Sequence, residues 1–226
     1  TTYPGGLYEI NKGATNNLAL FIQDTYRPNN DWAIYTGLRI DRFKKYHGQH
    51  VTYDKVNKKY DTVNHGEGTY TELSPRLAIE HYLNDSLNVY VSYGHSFNPP
   101  PLSQVYRYSD IVKANPNLDP ERSDSFEIGL KKEWNTKTTL NVSGFYVKTK
   151  DKIKYVTYYD RNGDVDYKMY NNVDLETRRG VELEVRHKLS SKWSVFGNYT
   201  WQMGRIKHKE LPNTNASEYA EVNYDI

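Results

Sequence analysis

The chain has 226 residues, of which 37% are hydrophobic, 26% charged and 14% aromatic, with 22 tyrosines, no cysteine and a formal charge of +2. This aromatic content excludes a disordered chain, and the lack of cysteine excludes disulfide frameworks and thiolate metal sites. The near balance of charges offers no concentrated basic surface, so we predict no nucleic-acid partner.

Apolar and polar side chains alternate in several segments, as expected for strands whose two faces meet different environments. The clearest case is Val181, Leu183 and Val185, which alternate with Glu182 and Glu184. In chain order, we predict eight strands, at residues 18–27, 34–41, 75–82, 87–94, 125–131, 140–146, 181–186 and 193–202. No apolar stripe of helical period extends over two turns, so we predict no long helix.

The connections between these strands alternate in length. Short, turn-forming segments lie at 28–31, 83–86, 135–137 and 189–192, and long segments lie at 47–72, 97–120, 151–171 and 204–218. Antiparallel membrane barrels have short periplasmic turns at one end and long extracellular loops at the other. Strands of about ten residues would also match a tilted crossing of the hydrocarbon layer.

The fold that this pattern favours is an all-β, antiparallel transmembrane β-barrel, with a soluble β protein as the alternative. A polar lumen explains the low mean hydropathy of −0.88, since only alternate residues meet lipid. Aromatic residues near the predicted strand ends would form interfacial girdles. They are Trp32, Trp134, Trp193, Tyr199 and Trp201.

Several motifs are more specific than the alternation. The strand pair at 72–79 and 87–100 ends in Phe-Asn-Pro-Pro, and residues 115–123 read Asn-Pro-Asn-Leu-Asp-Pro-Glu-Arg-Ser. These motifs resemble those of TonB-dependent outer-membrane transporters. Residues 179–184 resemble the family's Gly-x-Glu strand, and residues 21–24 its early Gln-Asp strand. Asn98 stands where the family usually has a basic residue, but the four landmarks follow the family's order over most of the chain.

The resemblance implies a 22-stranded barrel with an N-terminal plug, located in the bacterial outer membrane. The implied partners are outer-membrane lipid and lipopolysaccharide, TonB through the plug, and a ferric siderophore. We interpret residues 1–226 as one barrel segment of about 8 to 10 strands, without plug or second domain, and with no cofactor. The structural alternative is a small, passive eight-stranded barrel.

The sequence gives little support to an enzyme or to a metal site. His95 and Ser96 are adjacent on a predicted strand and therefore point to opposite faces, so they cannot form a catalytic pair. Residues 160–166 contain three carboxylates and one amide, which could suit Ca²⁺. The pair Asn162-Gly163 between tyrosines favours a hairpin with a type I′ turn instead.

The candidate ligand site lies in the long segment after the fourth predicted strand. It contains Tyr106, Arg107, Tyr108 and Lys113, a mixture of cations and aromatic rings that suits an anionic aromatic iron chelate. We therefore expect active import of a ferric siderophore. Haem or cobalamin import stays open as an alternative. Related haem receptors have a haem-ligating His between the Phe-Asn-Pro-Pro and Asn-Pro-Asn-Leu positions, and this chain has none there. His47, His50 and His65 lie in another long segment and keep haem as an alternative.

Overall fold

The structure, a computed structural model, describes residues 10–54, 59–65, 68–106, 111–208 and 221–225. These residues form a single antiparallel sheet. Its strands are β1 (Ile10–Asn29), β2 (Trp32–Asp54), β3 (Lys59–His65), β4 (Gly68–Asn84), β5 (Leu87–Asn98), β6 (Glu121–Trp134), β7 (Thr138–Tyr159), β8 (Val165–Lys188), β9 (Ser194–His208) and β10 (Glu221–Asp225). One short helix, α1 (Leu102–Val105), lies between β5 and β6.

Each strand pairs mainly with its neighbour in sequence, in the order β1-β2-β4-β5-β6-β7-β8-β9-β10, and β3 pairs with the end of β2. Within the described residues, β1 and β10 do not pair with each other, so the barrel wall is open between them. The same part of the chain has no helix with the length and apolar character needed to cross a membrane.

The four predicted short turns are confirmed. They connect β1 to β2, β4 to β5, β6 to β7 and β8 to β9. In two of them an asparagine side chain stabilises the turn: Asn29 Oδ1 accepts the Asp31 N–H at 3.0 Å, and Asn84 Oδ1 accepts the Ser86 N–H at 3.1 Å. Such Asx turns explain why these residue types occur there.

Two of the predicted long loops are wrong. Most of segment 47–72 is strand, because β2 continues to Asp54 and β3 pairs back onto it. Segment 151–171 is also mainly strand, since β7 and β8 remain paired up to Tyr159 and Val165. Of segment 204–218, the first five residues belong to β9 and residues 209–220 lie outside the described residues. The strands are accordingly longer than ten residues, and β8 has 24.

Cross-strand rows divide the sheet into an apolar face and a polar face, which confirms the predicted alternation. One row of the apolar face contains Ile34, Ile79, Val91, Ile128, Gly144, Val181 and Trp201. The adjacent row of the polar face contains Ala78, Ser92, Glu127, Phe145, Gly180 and Gln202. The apolar side chains are largely uncovered: Leu20, Ile22 and Ile128 are 70%, 71% and 63% exposed. A soluble protein rarely exposes so much apolar surface.

Three of the five predicted girdle residues lie at the short-turn ends of their strands, namely Trp32, Trp134 and Trp193. Tyr199 and Trp201 instead lie in the middle of β9, where they pair with Leu183 and Val181 of the apolar face. The prediction for these two was wrong because β9 continues to His208.

Candidate ligand-binding site

The described residues between β5 and β6, 99–106 and 111–120, fold back onto the upper parts of β7 and β8. Its Val105, Tyr106 and Leu118 are buried together and pack against Ile153 of β7 and Tyr170 of β8. This apolar cluster lies at the end of the sheet opposite the short turns. It fixes the position of the segment that carries the predicted ligand-binding residues.

Asn115 and Asp119 of the Asn-Pro-Asn-Leu-Asp motif attach this segment to β8. Asn115 Nδ2 donates to the Tyr170 carbonyl at 2.8 Å. The Asp119 N–H donates to Asn172 Oδ1, and Asn172 Nδ2 donates to the Asp119 carbonyl, both at 2.9 Å. A parallel bridge between Val112 and Lys168 adds a backbone contact. The motif therefore has a structural role: the Asn115 side chain satisfies a backbone carbonyl of β8, and the Asn172 side chain of β8 satisfies both backbone groups of Asp119.

Tyr70 attaches the same segment to β4. Its hydroxyl donates to the Leu118 carbonyl. Burial, followed by the nearby charge of Asp119, raises the pKa of Tyr70 to about 12. The phenol therefore stays protonated, and able to donate, over the whole physiological pH range.

An ion-pair network crosses the strands near this cluster. Arg122 of β6 makes a bidentate contact with Glu72 of β4, with Nε and Nη2 at 3.1 and 2.5 Å from the carboxylate oxygens, and Nη1 lies 3.1 Å from Asp151 of β7. Hydrogen bonding between β4 and β5 has already ended at Arg76 and Gly94. Arg122 thus connects β6 to β4, which is two strands away in the sheet, beyond the point where the ladder between β4 and β5 ends.

Of the four predicted site residues, the structure describes Tyr106 and Lys113. Tyr106 is 3% exposed and belongs to the buried cluster. Lys113 is exposed, and its Nζ lies 3.4 Å from the centre of the Tyr167 ring. Arg107 and Tyr108 lie outside the described residues. Ligand contact by these four residues stays a prediction.

The sequence reasoning did not assign a ligand role to the tyrosines of the β7–β8 hairpin, although they lie beside Lys113. Tyr158 and Tyr167 are cross-strand partners whose rings stack with centroids 4.5 Å apart. Tyr155 and Tyr170 form a second pair at 4.8 Å. The Asn162-Gly163 turn lies between two tyrosine-rich segments. It could have identified these tyrosine pairs from the sequence, because the position of the turn determines which residues of the two strands face each other.

The 160–166 segment forms a hairpin turn, as predicted, but not of type I′. Asp160 Oδ1 accepts the N–H groups of Asn162 at 2.8 Å and Asp164 at 2.9 Å. Within residues 160–166 only Gly163 has a positive φ, at +88°, whereas a type I′ turn needs two such residues. Among the described residues, no three His, Asp or Glu side chains are grouped in a way that could hold a metal ion.

On the polar face, carboxylates are held by tyrosine and asparagine side chains. Glu80 accepts hydrogen bonds from Tyr35 at 3.2 Å, Tyr82 at 2.8 Å and Asn88 at 2.7 Å. Tyr90 donates in the same way to Glu127. Buried carboxylates with several donors are stable inside a polar lumen, so this face has the chemistry of a barrel interior.

The apolar outer face, the polar inner face and the short turns at one end define a transmembrane β-barrel wall. A family model described as TonB dependent receptor-like, beta-barrel matches residues 1–225. The chain belongs to this family of TonB-dependent receptors.

Among curated proteins, the chain is similar to the catecholate siderophore receptor Fiu of Escherichia coli K12, with 23% identity over 91% of this chain and 28% of Fiu. It is also similar to the ferrioxamine receptor of Yersinia enterocolitica, with 24% identity over 87% of this chain and 24% of that receptor. The chain therefore spans about 28% of the length of Fiu.

Solved structures show the same fold. The closed form of the ferric-catecholate import receptor Fiu from E. coli K12 superposes with a TM-score of 0.66 and 18% identity, covering 89% of this chain and 29% of Fiu. The ferric yersiniabactin uptake receptor FyuA from Yersinia pestis gives a TM-score of 0.63 and 19% identity, covering 99% of this chain and 29% of FyuA. At these identities the likeness establishes the barrel fold alone.

Proposed function

We propose that this chain forms part of a bacterial outer-membrane receptor that imports a ferric siderophore with energy supplied through TonB. Membership of the TonB-dependent receptor family supports the mechanism. Two of the relatives, a catecholate siderophore receptor and a ferrioxamine receptor, support the class of ligand.

The observation that carries the ligand assignment is the position of Lys113. Its ammonium group is exposed beside the stacked pair Tyr158 and Tyr167, at the end of the sheet opposite the short turns. In this family of barrels that end is extracellular. A cation next to aromatic rings complements an anionic, aromatic iron chelate through charge and ring contacts.

Tyr106, Arg107 and Tyr108 complete the proposed site in different ways. The buried ring of Tyr106 holds the segment against β7 and β8. Arg107 and Tyr108 follow it directly in sequence and carry the second cation and an additional phenol. We propose that Arg107 and Lys113 act together on the negative charge of the chelate.

Binding of a ferric catecholate to the full-length protein, followed by quenching of intrinsic fluorescence, tests this assignment. Lys113→Gln should raise the Kd by roughly 2- to 30-fold, the range expected when a cation beside aromatic rings is lost. The double variant Lys113→Gln, Arg107→Gln should raise it further. The matched control is Lys137→Gln, which removes an exposed lysine from the short turn at the opposite end of the sheet.

The assignment is refuted if Lys113→Gln and the double variant Lys113→Gln, Arg107→Gln both bind the ferric catecholate with the same affinity as the unmodified protein. Tight binding of haem or cobalamin, together with no binding of ferric siderophores, would contradict the proposed ligand class while leaving the family membership intact.

A further inference from the structure

The polar face carries an arginine, Arg76 of β4, between two glycines. Arg76 is two residues from Ala78 of the polar row and therefore points to the same face. Its cross-strand partners are Gly37 of β2 and Gly94 of β5. A Cβ at Gly37 would lie 3.8 Å from the Arg76 Cβ, and a Cβ at Gly94 would lie 3.9 Å from its Cγ. Because both partners lack a side chain, Arg76 stays exposed to the barrel interior.

Other arginines of this face are paired with carboxylates, whereas Arg76 is not. Arg39 Nε lies 2.7 Å from Asp41 Oδ2, and Arg178 Nε lies 3.7 Å from Glu176 Oε1. Within the part of the chain that the structure describes, the Arg76 guanidinium makes no hydrogen bond and no ion pair. Its five N–H donors can therefore all bind an anion that enters the barrel.

A pocket of about 660 Å³ surrounds Arg76 on the polar face. Small polar side chains of β1, β5 and β6 line it, namely Gln23, Ser92 and Ser125. Gln23 and Ser125 belong to the same cross-strand row as Arg76. Ligand pockets have volumes of about 300–1,000 Å³ and a few convergent polar groups. The pocket thus has the size of a ligand site and offers one cation among neutral hydrogen-bonding groups.

Arg76 lies much deeper in the barrel than the site beside Lys113. It is eight residues before the end of β4 at Asn84, which places it roughly 20 Å above the short turns, at ~3.4 Å per residue and a strand tilt of ~40°. The Lys113 N–H donates to the Lys168 carbonyl, which is twenty residues before the end of β8. By the same conversion, Lys113 lies roughly 30 Å above Arg76. Arg76 is therefore separate from the extracellular site.

The wall of the barrel becomes acidic just below Arg76. The first row towards the short turns contains Glu127, and the second contains Glu80 and Glu182. Lys131 lies 3.6 Å from Glu80 and balances that carboxylate in part. An anion that moves down this wall leaves an unpaired cation and then meets carboxylates, which repel it. The level of Arg76 is therefore a favourable position for an anion, directly above an unfavourable one.

We propose that Arg76 and this pocket form a second anion-binding site, which holds the iron chelate inside the barrel between its capture at the extracellular end and its release to the periplasm. A carboxylate or a pair of catecholate oxygens of the chelate accepts two parallel hydrogen bonds from the guanidinium. Gln23 and Ser125 add neutral hydrogen bonds. The inference rests on the proposed function, since it takes a ferric siderophore as the transported ligand.

Two measurements on the full-length protein separate this site from the extracellular one. Quenching of intrinsic fluorescence gives the Kd of a ferric catecholate, and uptake of the radioactive chelate at saturating concentration gives the maximal rate per inserted barrel. Arg76→Gln should leave the Kd unchanged, because Lys113 is intact, and lower the maximal rate roughly tenfold, the effect of losing a charged hydrogen bond. Arg76→Lys should give an intermediate rate, because it keeps the charge but loses the fork of donors.

Arg178→Gln is the matched control. Arg178 belongs to the same cross-strand row as Arg76, but it is already paired with Glu176. Its substitution should change neither the Kd nor the maximal rate. Gly94→Leu keeps Arg76 but covers it with a side chain, so it should also slow uptake. Gly197→Leu, at a position where a Cβ meets nothing within 4 Å, is the control for the added side chain.

Equal maximal rates for Arg76→Gln and Arg178→Gln would overturn the proposal. A raised Kd with an unchanged maximal rate would also overturn it, because Arg76 would then belong to the site of capture. A lower unfolding midpoint of Arg76→Gln without chelate would assign the arginine to a carboxylate of the protein itself, which again contradicts a transport site. If the unmodified protein shows TonB-dependent uptake, these results refute the second site alone. If it shows none, the proposed function fails and this site fails with it.

Discussion

Because adjacent residues of β8 point to opposite faces of the sheet, the same substitution at two neighbouring positions should change the stability of the barrel by unequal amounts. Leu183 belongs to the apolar face, in a row with Leu130, Val142 and Tyr199. Its neighbour Glu182 points to the polar face, opposite Ser143 and Thr200. Substitution of each residue by arginine places the same charge on opposite sides of one strand.

The position of Leu183 gives the magnitude. It lies five residues before the end of β8, which corresponds to roughly 13 Å above the short turns, close to the middle of a ~25 Å apolar band. An arginine facing lipid at that depth destabilises a barrel by about 2–4 kcal/mol. Glu182→Arg places its charge in a polar interior, so we expect a change of less than about 1 kcal/mol.

Urea unfolding of the full-length protein in lipid bilayers measures both effects as differences in the free energy of unfolding. Leu183→Arg should lower the midpoint clearly, and Glu182→Arg should leave it nearly unchanged. Leu183→Gln separates the effect of charge from the loss of the leucine side chain. Similar losses for the two arginine variants would refute the assignment of the two faces.

Two further predictions concern the cluster above the membrane. The folded-state pKa of Tyr70 is raised to about 12, so its contribution to stability should be present in full below the unfolded-state pKa of about 10 and disappear as the pH rises towards 12. In thermal unfolding, a Tyr70→Phe variant should therefore lose less stability over this pH range than the unmodified protein. Identical pH profiles for the two proteins would argue against the anchor to Leu118. Arg122→Met should lower the free energy of unfolding, measured with denaturant, by about 1–3 kcal/mol, because it leaves the buried Glu72 without its bidentate partner. Adding Glu72→Leu should recover most of this loss. A double variant as unstable as the single variant would exclude this pairing.

The membrane-facing part of the fold could be predicted because a barrel wall imposes a period of two on its sequence. Val181, Leu183 and Val185 show this period because lipid lies on one side and water on the other. The same strands continue beyond the membrane, in the end of β2 and in the β7–β8 hairpin. Lipid no longer imposes a period of two there, and the hairpin packs against the segment between β5 and β6. There the alternation disappears although the backbone pairing does not, so segments 47–72 and 151–171 were mistaken for loops.

The candidate site was only partly predictable for a related reason. Tyr106 belongs to an aromatic and basic segment, yet its burial depends on Ile153 and Tyr170, which follow at a distance in sequence. The contact between Lys113 and Tyr167 likewise requires the segment between β5 and β6 to reach β8. Sequence patterns report local periodicity, whereas these contacts depend on how a long connection folds across several strands.

The proposed import function is tested most directly by uptake of a radioactive ferric catecholate into cells that lack their own catecholate receptors and express the full-length protein. Uptake should occur in cells with TonB and disappear in otherwise identical cells without TonB, while Lys113→Gln should reduce it at limiting concentrations of the chelate. Equal uptake with and without TonB, or none in either strain despite correct insertion into the outer membrane, would contradict the proposal that this barrel belongs to an active ferric-siderophore importer.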